Sequence, residues 1–134
     1  MSITQIRITN LKFVKNPCLL DDRLKFNLQI IPWTRLDQGF LAELFFYCNG
    51  ETRTLGISYR SGPFEIDQEK VIEFEFNAIQ VPKKRQACSF RLFITYGGRK
   101  FAEITYRALI ETNERKWHVV IDEEKPVVDQ SMNI

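Results

Sequence analysis

The chain has 134 residues, of which 44% are hydrophobic and 13% aromatic, so it is long enough for one compact domain and too short to suggest two. The 19 basic and 17 acidic residues give a formal net charge of +2, far from the basic excess of a general phosphate-backbone binder. The first residues lack a charged segment followed by a continuous apolar run, and no segment is long enough to cross a membrane. The sequence therefore predicts a soluble, intracellular protein that does not bind nucleic acid directly.

The first half of the chain predicts strands in which apolar and polar residues alternate. Thr4 to Val14 is the first candidate strand. The run "LKFNLQI" follows, and its inward face carries Leu24, Phe26, Leu28 and Ile30. The run "FLAELFFYC" is almost continuously apolar and ends at Asn49-Gly50, which predicts a central strand covered on both faces. Thr52 to Tyr59 is the next candidate.

The second half repeats the pattern. In "VIEFEF" the residues Ile72, Phe74 and Phe76 point inward, and Lys116 to Ile121 is the final candidate strand. No segment shows a long helical period, and seven or eight short strands predict an all-β fold, an immunoglobulin-like antiparallel β-sandwich. One core is expected to contain Phe26, Leu28, Phe74, Phe76, Phe90 and Leu92.

The end of the sequence changes character. From Asp122 the sequence "DEEKPVVDQSMNI" is polar and interrupted by a proline. Such a composition is typical of a terminal segment without tertiary contacts. We therefore predict an immunoglobulin-like domain over residues 1–122 and a polar mobile tail over residues 123–134.

The stretch "FRLFITYGGRKFAEITYRA" predicts a hairpin whose turn length decides which side chains face outward. A two-residue turn at Gly97-Gly98 would put Leu92 on the same face as Glu103. A three-residue loop from Gly97 to Arg99 makes one face wholly apolar, so we predict this loop, with a bulge and a glycine at positive φ. It pairs Ile94 with Ala102, Leu92 with Ile104, Phe90 with Tyr106, and Cys88 with Ala108. The outer face would carry Ser89, Arg91, Phe93, Glu103, Thr105 and Arg107.

The sequence offers little catalytic or metal-binding chemistry. His118 is the single histidine, and its position within a strand favours an ordinary surface role over catalysis. The cysteines lack the paired spacing of zinc or redox motifs, so they are expected to be buried free thiols. They are Cys18, Cys48 and Cys88. We therefore expect no enzyme, no cofactor and no metal site.

Several separated stretches together resemble the anti-silencing function family of histone chaperones. "KNPCLLDDRLKFNLQI" resembles the family's Asn-Pro and following strand, and "SGPFEI" with "FEFNAIQVP" resembles its Gly-Pro turn and Phe-x-Phe strand. "ITYGGRKFAEITY" is similar to its Tyr-x-Gly-x-x-Phe hairpin, and "KWHVVID" to its final strand. The resemblance covers about Ile6 to Asp122. It implies an immunoglobulin-like sandwich and a nuclear protein, shared with the cytoplasm, that acts in chromatin assembly.

The resemblance also implies a histone-binding patch on the outer face of the hairpin. In the family this patch uses a central aliphatic residue, nearby acidic residues and an arginine. The alignment places Ser89 at the aliphatic position and Glu103 at the arginine. Arg53 and the Lys83-Lys84 pair lie near the acidic positions, so several charges are reversed, which disfavours a basic partner. The family's acidic groove for deposition partners maps poorly, because Phe40-Leu41-Ala42 stands where acid-Leu-acid is expected.

Two functions remain open at this stage. The first is a monomeric, non-enzymatic chaperone that binds the dimer of the two arginine-rich core histones during nucleosome assembly or disassembly, with no small-molecule substrate. The second is an interaction module of the same fold that has lost histone binding and recognises another protein. The candidate partner-binding residues are Ser89, Arg91, Phe93, Glu103, Arg107, Trp117 and Val119.

The last two of these candidates depend on a separate hypothesis about the final strand, "KWHVVI". If this strand is an open sheet edge, an extended peptide could pair with it, as the family pairs a histone tail. Trp117 and Val119 would then line the pocket for that peptide. The alternative is that the strand closes the sandwich, with Trp117 filling its end.

Overall fold

The structure is a computed structural model that describes residues 6–130, and these residues form strands and turns without any helix, hence without a membrane-spanning helix. The strands are β1 (Ile6–Phe13), β2 (Cys18–Leu19), β3 (Leu24–Pro32), β4 (Phe40–Cys48), β5 (Glu51–Arg60), β6 (Lys70–Phe76), β7 (Gln86–Tyr96), β8 (Arg99–Asn113), β9 (Lys116–Ile121) and β10 (Val127–Gln130). The small sheet has the order β1-β3-β6, and the large sheet has the order β2-β9-β8-β7-β4-β5, with β10 also paired to β8. The prediction of an all-β, immunoglobulin-like sandwich is confirmed.

The core lies between the two sheets and consists of the inward residues of alternating strands. The predicted core set is confirmed, because each of its members is at most 1% exposed: Phe26, Leu28, Phe74, Phe76, Phe90 and Leu92. Aromatic rings join the sheets, since Phe13 of β1 packs edge-to-face on Tyr106 of β8, with ring centroids 5.1 Å apart. Such pairs contribute beyond the area they bury. The small sheet therefore covers one face of the large sheet.

The hairpin between β7 and β8 has the predicted register but a different turn. Ile94 pairs with Ala102, as expected, yet Tyr96 pairs directly with Arg99. Gly97 and Gly98 alone make the turn, both at positive φ (56° and 82°), which is the geometry of the common two-residue hairpin. A bulge between the turn and Ala102 leaves Phe101 unpaired, and this residue is fully buried. The three-residue loop is therefore wrong, because burial of Phe101 supplies the one-residue shift inside the strand instead.

The prediction that β4 is covered on both faces is also wrong. Its residues alternate between buried and half-buried positions. The half-buried outward residues are Leu41, Glu43, Phe45 and Tyr47. Large side chains on neighbouring strands shield one another at the surface, so an apolar run in a central strand does not require a second layer. This uncovered side of the large sheet is called the outer face below.

The predicted tail does not begin at residue 123. The backbone of β10 pairs with β8, Val127 opposite Thr105 and Val128 opposite Ile104. The physical reason is the length of β8, whose 15 residues extend past the segment that pairs with β9. The unpaired part of that edge offers backbone groups that β10 satisfies. Residues 131–134 of the predicted tail lie outside the described residues.

Candidate protein-binding surface

The outer face carries a row of side chains that crosses four strands at one level. Ile57 of β5 lies opposite Glu43 of β4, Glu43 opposite Phe93 of β7, and Phe93 opposite Glu103 of β8. Directly opposed side chains in antiparallel strands are close neighbours. The Phe93 ring therefore lies between two carboxylates. Ile57 at the end of the row is 61% exposed.

The next rows of the outer face are held by aromatic contacts. The Phe45 and Phe93 rings meet edge-to-face, with centroids 5.5 Å apart and an interplanar angle of 88°. The Arg91 guanidinium lies over the Tyr47 ring, 5.3 Å from its centroid. Cation–π contacts of this kind favour a fixed arginine position. Arg91 Nε is buried and has no hydrogen-bond partner among the described residues, so this stacking, rather than a hydrogen bond at Nε, orients the side chain.

We call this surface the outer patch. Its residues are Leu41, Glu43, Phe45, Tyr47, Ile57, Tyr59, Arg91, Phe93 and Glu103. The exposed end is formed by Ile57 and by Tyr59, which is 55% exposed, and the centre by the half-buried phenylalanines. Apolar side chains grouped on one surface are more informative than single exposed ones.

The hairpin residues predicted from the sequence all lie on this face. Arg91, Phe93 and Glu103 belong to the outer patch and are half-buried rather than fully exposed. Ser89 pairs with Arg107 of β8 and with Tyr47 of β4. The predicted residues Ser89 and Arg107 therefore form the border of the outer patch. The contributions of β4 and β5 were missed. The two-residue spacing of Ile57 and Tyr59 in the predicted strand is a sequence signal that places both on one side, whereas Leu55 lies in the core because of a bulge.

The two predicted site residues on the final strand do not form an open edge. The β2 strand pairs with β9, with Cys18 opposite Val119, and the Leu20 amide donates to the Trp117 carbonyl at 2.9 Å. The Asn16 side chain bonds both backbone groups of Ile121, at 2.7 and 2.9 Å. Val119 is fully buried, and Trp117 packs against the core. The open-edge hypothesis is therefore wrong, because β2 and Asn16 occupy backbone groups of this strand and Val119 faces the core.

The charges on the outer face separate into two halves. Glu43 and Glu103 flank Phe93, whereas Arg91 and Arg107 lie toward the Ser89 end. Glu103 also forms an ion pair with Lys100 at 3.8 Å. Among residues 6–130, no three His, Cys, Asp or Glu side chains are grouped so that they could hold a metal ion. The outer patch therefore combines apolar side chains with separated acidic and basic groups.

Comparisons with known proteins add little to this geometry. No protein-family model matches the sequence, and no curated protein matches it. The chain is similar to a solved structure described as "Crystal structure of protein from Archaeoglobus fulgidus", with 7% identity and a TM-score of 0.32. That similarity covers 99% of this chain and 100% of the archaeal chain. A TM-score of this size carries no argument about function.

Proposed function

We propose that the protein is a non-enzymatic module that binds a basic protein through the outer patch. The dimer of the two arginine-rich core histones is the partner implied by the sequence resemblance. The observation that supports this proposal best is the row in which Phe93 lies between Glu43 and Glu103. A partner's apolar side chain would bury area against the Phe93 ring, and lysine or arginine side chains on either side of it would meet the two carboxylates. In this proposal the protein acts as a nuclear monomer, shared with the cytoplasm, without a cofactor.

The composition of the patch supports binding to protein. Aromatic residues and arginine are enriched at the centres of protein interfaces, and the patch combines Phe45, Phe93, Tyr47, Tyr59 and Arg91. The central rings are already held by their mutual contact, so they lose little side-chain entropy on binding. A partner would add area mainly over the exposed Ile57 and Tyr59 end.

The charge distribution restricts how a basic partner can bind. Basic groups are favoured over the acidic pair that flanks Phe93, and are repelled by Arg91 and Arg107 at the other end. The partner should therefore present its cations to one half of the patch and neutral or acidic groups to the other half. The acidic pair includes Glu43 on β4, outside the hairpin on which the resemblance places the histone-binding patch.

The experiment is a titration of the full chain with the purified histone dimer, with the dissociation constant measured by calorimetry at two salt concentrations. Phe93→Ala removes the ring and Glu43→Lys reverses one flanking charge. Matched controls from the small sheet are Val71→Ser and Glu73→Lys, because both positions are exposed on β6. We expect each patch variant to weaken binding at least about tenfold, or about 1.4 kcal/mol. The controls should stay within about twofold.

Added salt should weaken wild-type binding, because the flanking carboxylates are at the surface. Equal affinity of both patch variants and the wild type would reject the outer patch. An unrelated small basic protein serves as the specificity control. If it binds as tightly as the histone dimer, the interaction is non-specific attraction between charges.

The second candidate is a module of the same fold that has lost histone binding. This second candidate is favoured by the basic side chains near the family's acidic positions, because the protein's own contacts hold these side chains in place. Arg53 donates to the Gln80 carbonyl and pairs with Glu51, and Lys83 approaches Asp21 at 3.9 Å. Failure of the wild-type chain to bind the histone dimer, with no saturation at micromolar concentrations, would reject the first candidate and leave the second.

A further inference from the structure

Two thiols lie on adjacent strands at one end of the large sheet, one position beyond the last recorded residue pair. Tyr47 of β4 pairs with Ser89 of β7, so the next position in this antiparallel register brings Cys48 opposite Cys88. Both cysteines belong to the strands, both are half-buried, and both are free thiols. We propose that Cys48 and Cys88 are a redox-sensitive modification site, at which a reversible cross-strand disulfide forms under oxidising conditions.

The register supplies the geometry that a disulfide needs. Directly opposed residues in antiparallel strands have Cα atoms about 4.5 or about 5.5 Å apart, depending on the hydrogen-bonding of the pair. Disulfides span Cα separations of about 4.4 to 6.8 Å, so both cases are suitable. The preceding inward pair is Phe46 and Phe90, two residues from each cysteine, so the two thiols also share the inner side.

The third cysteine has a different setting. Cys18 is buried in β2, opposite Val119, with no second thiol across from it. Burial, the nearby Asp22 carboxylate and smaller opposing contributions leave the pKa of Cys18 raised to about 11. A buried, protonated thiol reacts slowly with oxidants. Cys18 therefore serves as an internal reference for the other two.

The reaction needs a co-reactant, and a low-molecular-weight disulfide is sufficient. The Cys48 thiolate attacks one sulfur of that disulfide, which forms a mixed disulfide and expels one small thiolate. Cys88, after losing its proton, attacks the Cys48 sulfur, forms the cross-strand bond and expels the second small thiolate. Two protein thiols are oxidised by two electrons and one small disulfide is reduced to two thiols, which take up the two protons.

The order of the two steps follows from the environments of the thiols. Burial, and secondly the neighbouring Cys48 thiol, raise the pKa of Cys88 to about 12. Cys88 is thus protonated at neutral pH and is the poorer first nucleophile. It acts in the second step, where the strand pairing holds it beside the mixed disulfide and makes the attack intramolecular.

Oxidation would also change a hydrogen-bond cluster at the end of β4. The Cys48 thiol donates to Gln86 Oε1 at 3.0 Å, and Asn49 Nδ2 donates to the same oxygen at 2.9 Å. Gln86 is buried, and its Nε2 donates to the Pro82 carbonyl at 2.9 Å. Disulfide formation removes the thiol donor, so the side chain of Gln86, the first residue of β7, loses one of its contacts with the end of β4 and is held less firmly against Pro82.

The test uses the wild-type chain and Cys18→Ser, treated with glutathione disulfide and analysed by intact mass and peptide mapping without reductant. We expect both proteins to lose two hydrogen masses, with one cross-link between the peptides that contain Cys48 and Cys88. Dithiothreitol should reduce this cross-link and restore the original mass. The matched variant Cys88→Ser should instead gain one glutathione at Cys48, because the resolving thiol is absent.

Three results would overturn the proposal. They are two glutathiones on the wild-type chain without a cross-link, a cross-link between two chains, and no reaction at either thiol under conditions that fully oxidise a small dithiol. Mapping of the wild-type chain requires no substitution, so the test does not depend on whether a variant folds. Amide hydrogen exchange provides a second readout, since exchange around Pro82 to Gln86 should increase after oxidation.

Discussion

Phe90 and Phe93 belong to the same strand, three residues apart, and have opposite environments. Phe90 is fully buried and packs on Phe46 and Phe13, whereas Phe93 is half-buried on the outer face and touches Phe45. The difference arises because the small sheet covers one side of the large sheet and nothing in residues 6–130 covers the other. The same residue type can therefore support folding on one face and remain accessible to a partner on the other.

The sharpest test of this comparison is to truncate each phenylalanine. Phe90→Ala should lower the free energy of unfolding by about 3–5 kcal/mol, because it removes a ring from a closed core. Phe93→Ala should lower it by about 1 kcal/mol, since the ring is half in water already and loses mainly its contact with Phe45. Urea unfolding followed by tryptophan fluorescence would measure both values.

The order of these two values is what matters. Equal losses of several kcal/mol would show that Phe93 is part of the core, and the outer patch would then be structural. Binding measured per folded molecule separates the roles further. Phe93→Ala should lose affinity while it remains folded, whereas Phe90→Ala should lose folded protein and keep its affinity per folded molecule.

A matched pair of valines extends the comparison to the final strand. Val119 is fully buried, and its neighbour Val120 is half-buried on the outer face opposite Leu109. Val119→Ala should cost about 2 kcal/mol of stability, and Val120→Ala less than about 1 kcal/mol, because side-chain burial sets the loss. Differential scanning calorimetry under identical conditions would measure the loss of stability of each variant. A larger loss at Val120 would mean that the outer face is covered.

Much of the fold could be predicted because burial acts on every second residue of a strand. The alternation placed Phe26 and Phe74 in the core and fixed the pairing of Leu92 with Ile104. A bulge and a glycine at positive φ were predicted, but the position of the bulge at Phe101 and the two-residue turn were not, since a longer turn shifts the register by one residue as well. The hydrogen bonds from the Asn16 side chain to the backbone of β9 could not be predicted either, because Asn16 is 105 positions away from Ile121 in the sequence.

The candidate site was predictable on one hairpin and not beyond it. Arg91, Phe93 and Glu103 follow from the alternation of β7 and β8. Phe45 was misassigned because a run of apolar residues has the same appearance whether its outward members are covered by a layer or shielded by their neighbours. The opposition of Glu43 to Phe93 requires the order of strands in the sheet, which one sequence does not give.

A double-mutant cycle would measure how far the outer face stabilises itself. Phe45→Ala, Phe93→Ala and the double variant should show a coupling of about 0.5–1.5 kcal/mol, the range for edge-to-face aromatic pairs. The measurement is again chemical unfolding of all four proteins. A coupling near zero would mean that the two rings are independently solvated, and the entropy argument for a preorganised patch would fail.

The smallest expected effect on stability is at Ile57, and it separates folding from binding most cleanly. This side chain is 61% exposed, so Ile57→Ser should change the free energy of unfolding by no more than about 0.5 kcal/mol. Val71→Ser is the matched control, because Val71 is 51% exposed on the small sheet and should be equally neutral for folding. The two differ in their neighbours, since Ile57 lies in the row with Glu43 and Phe93. If the outer patch binds the partner, calorimetric titration should show weaker binding for Ile57→Ser and unchanged binding for Val71→Ser. Equal affinities for the two variants would mean that the partner contacts only the centre of the patch or does not contact this face.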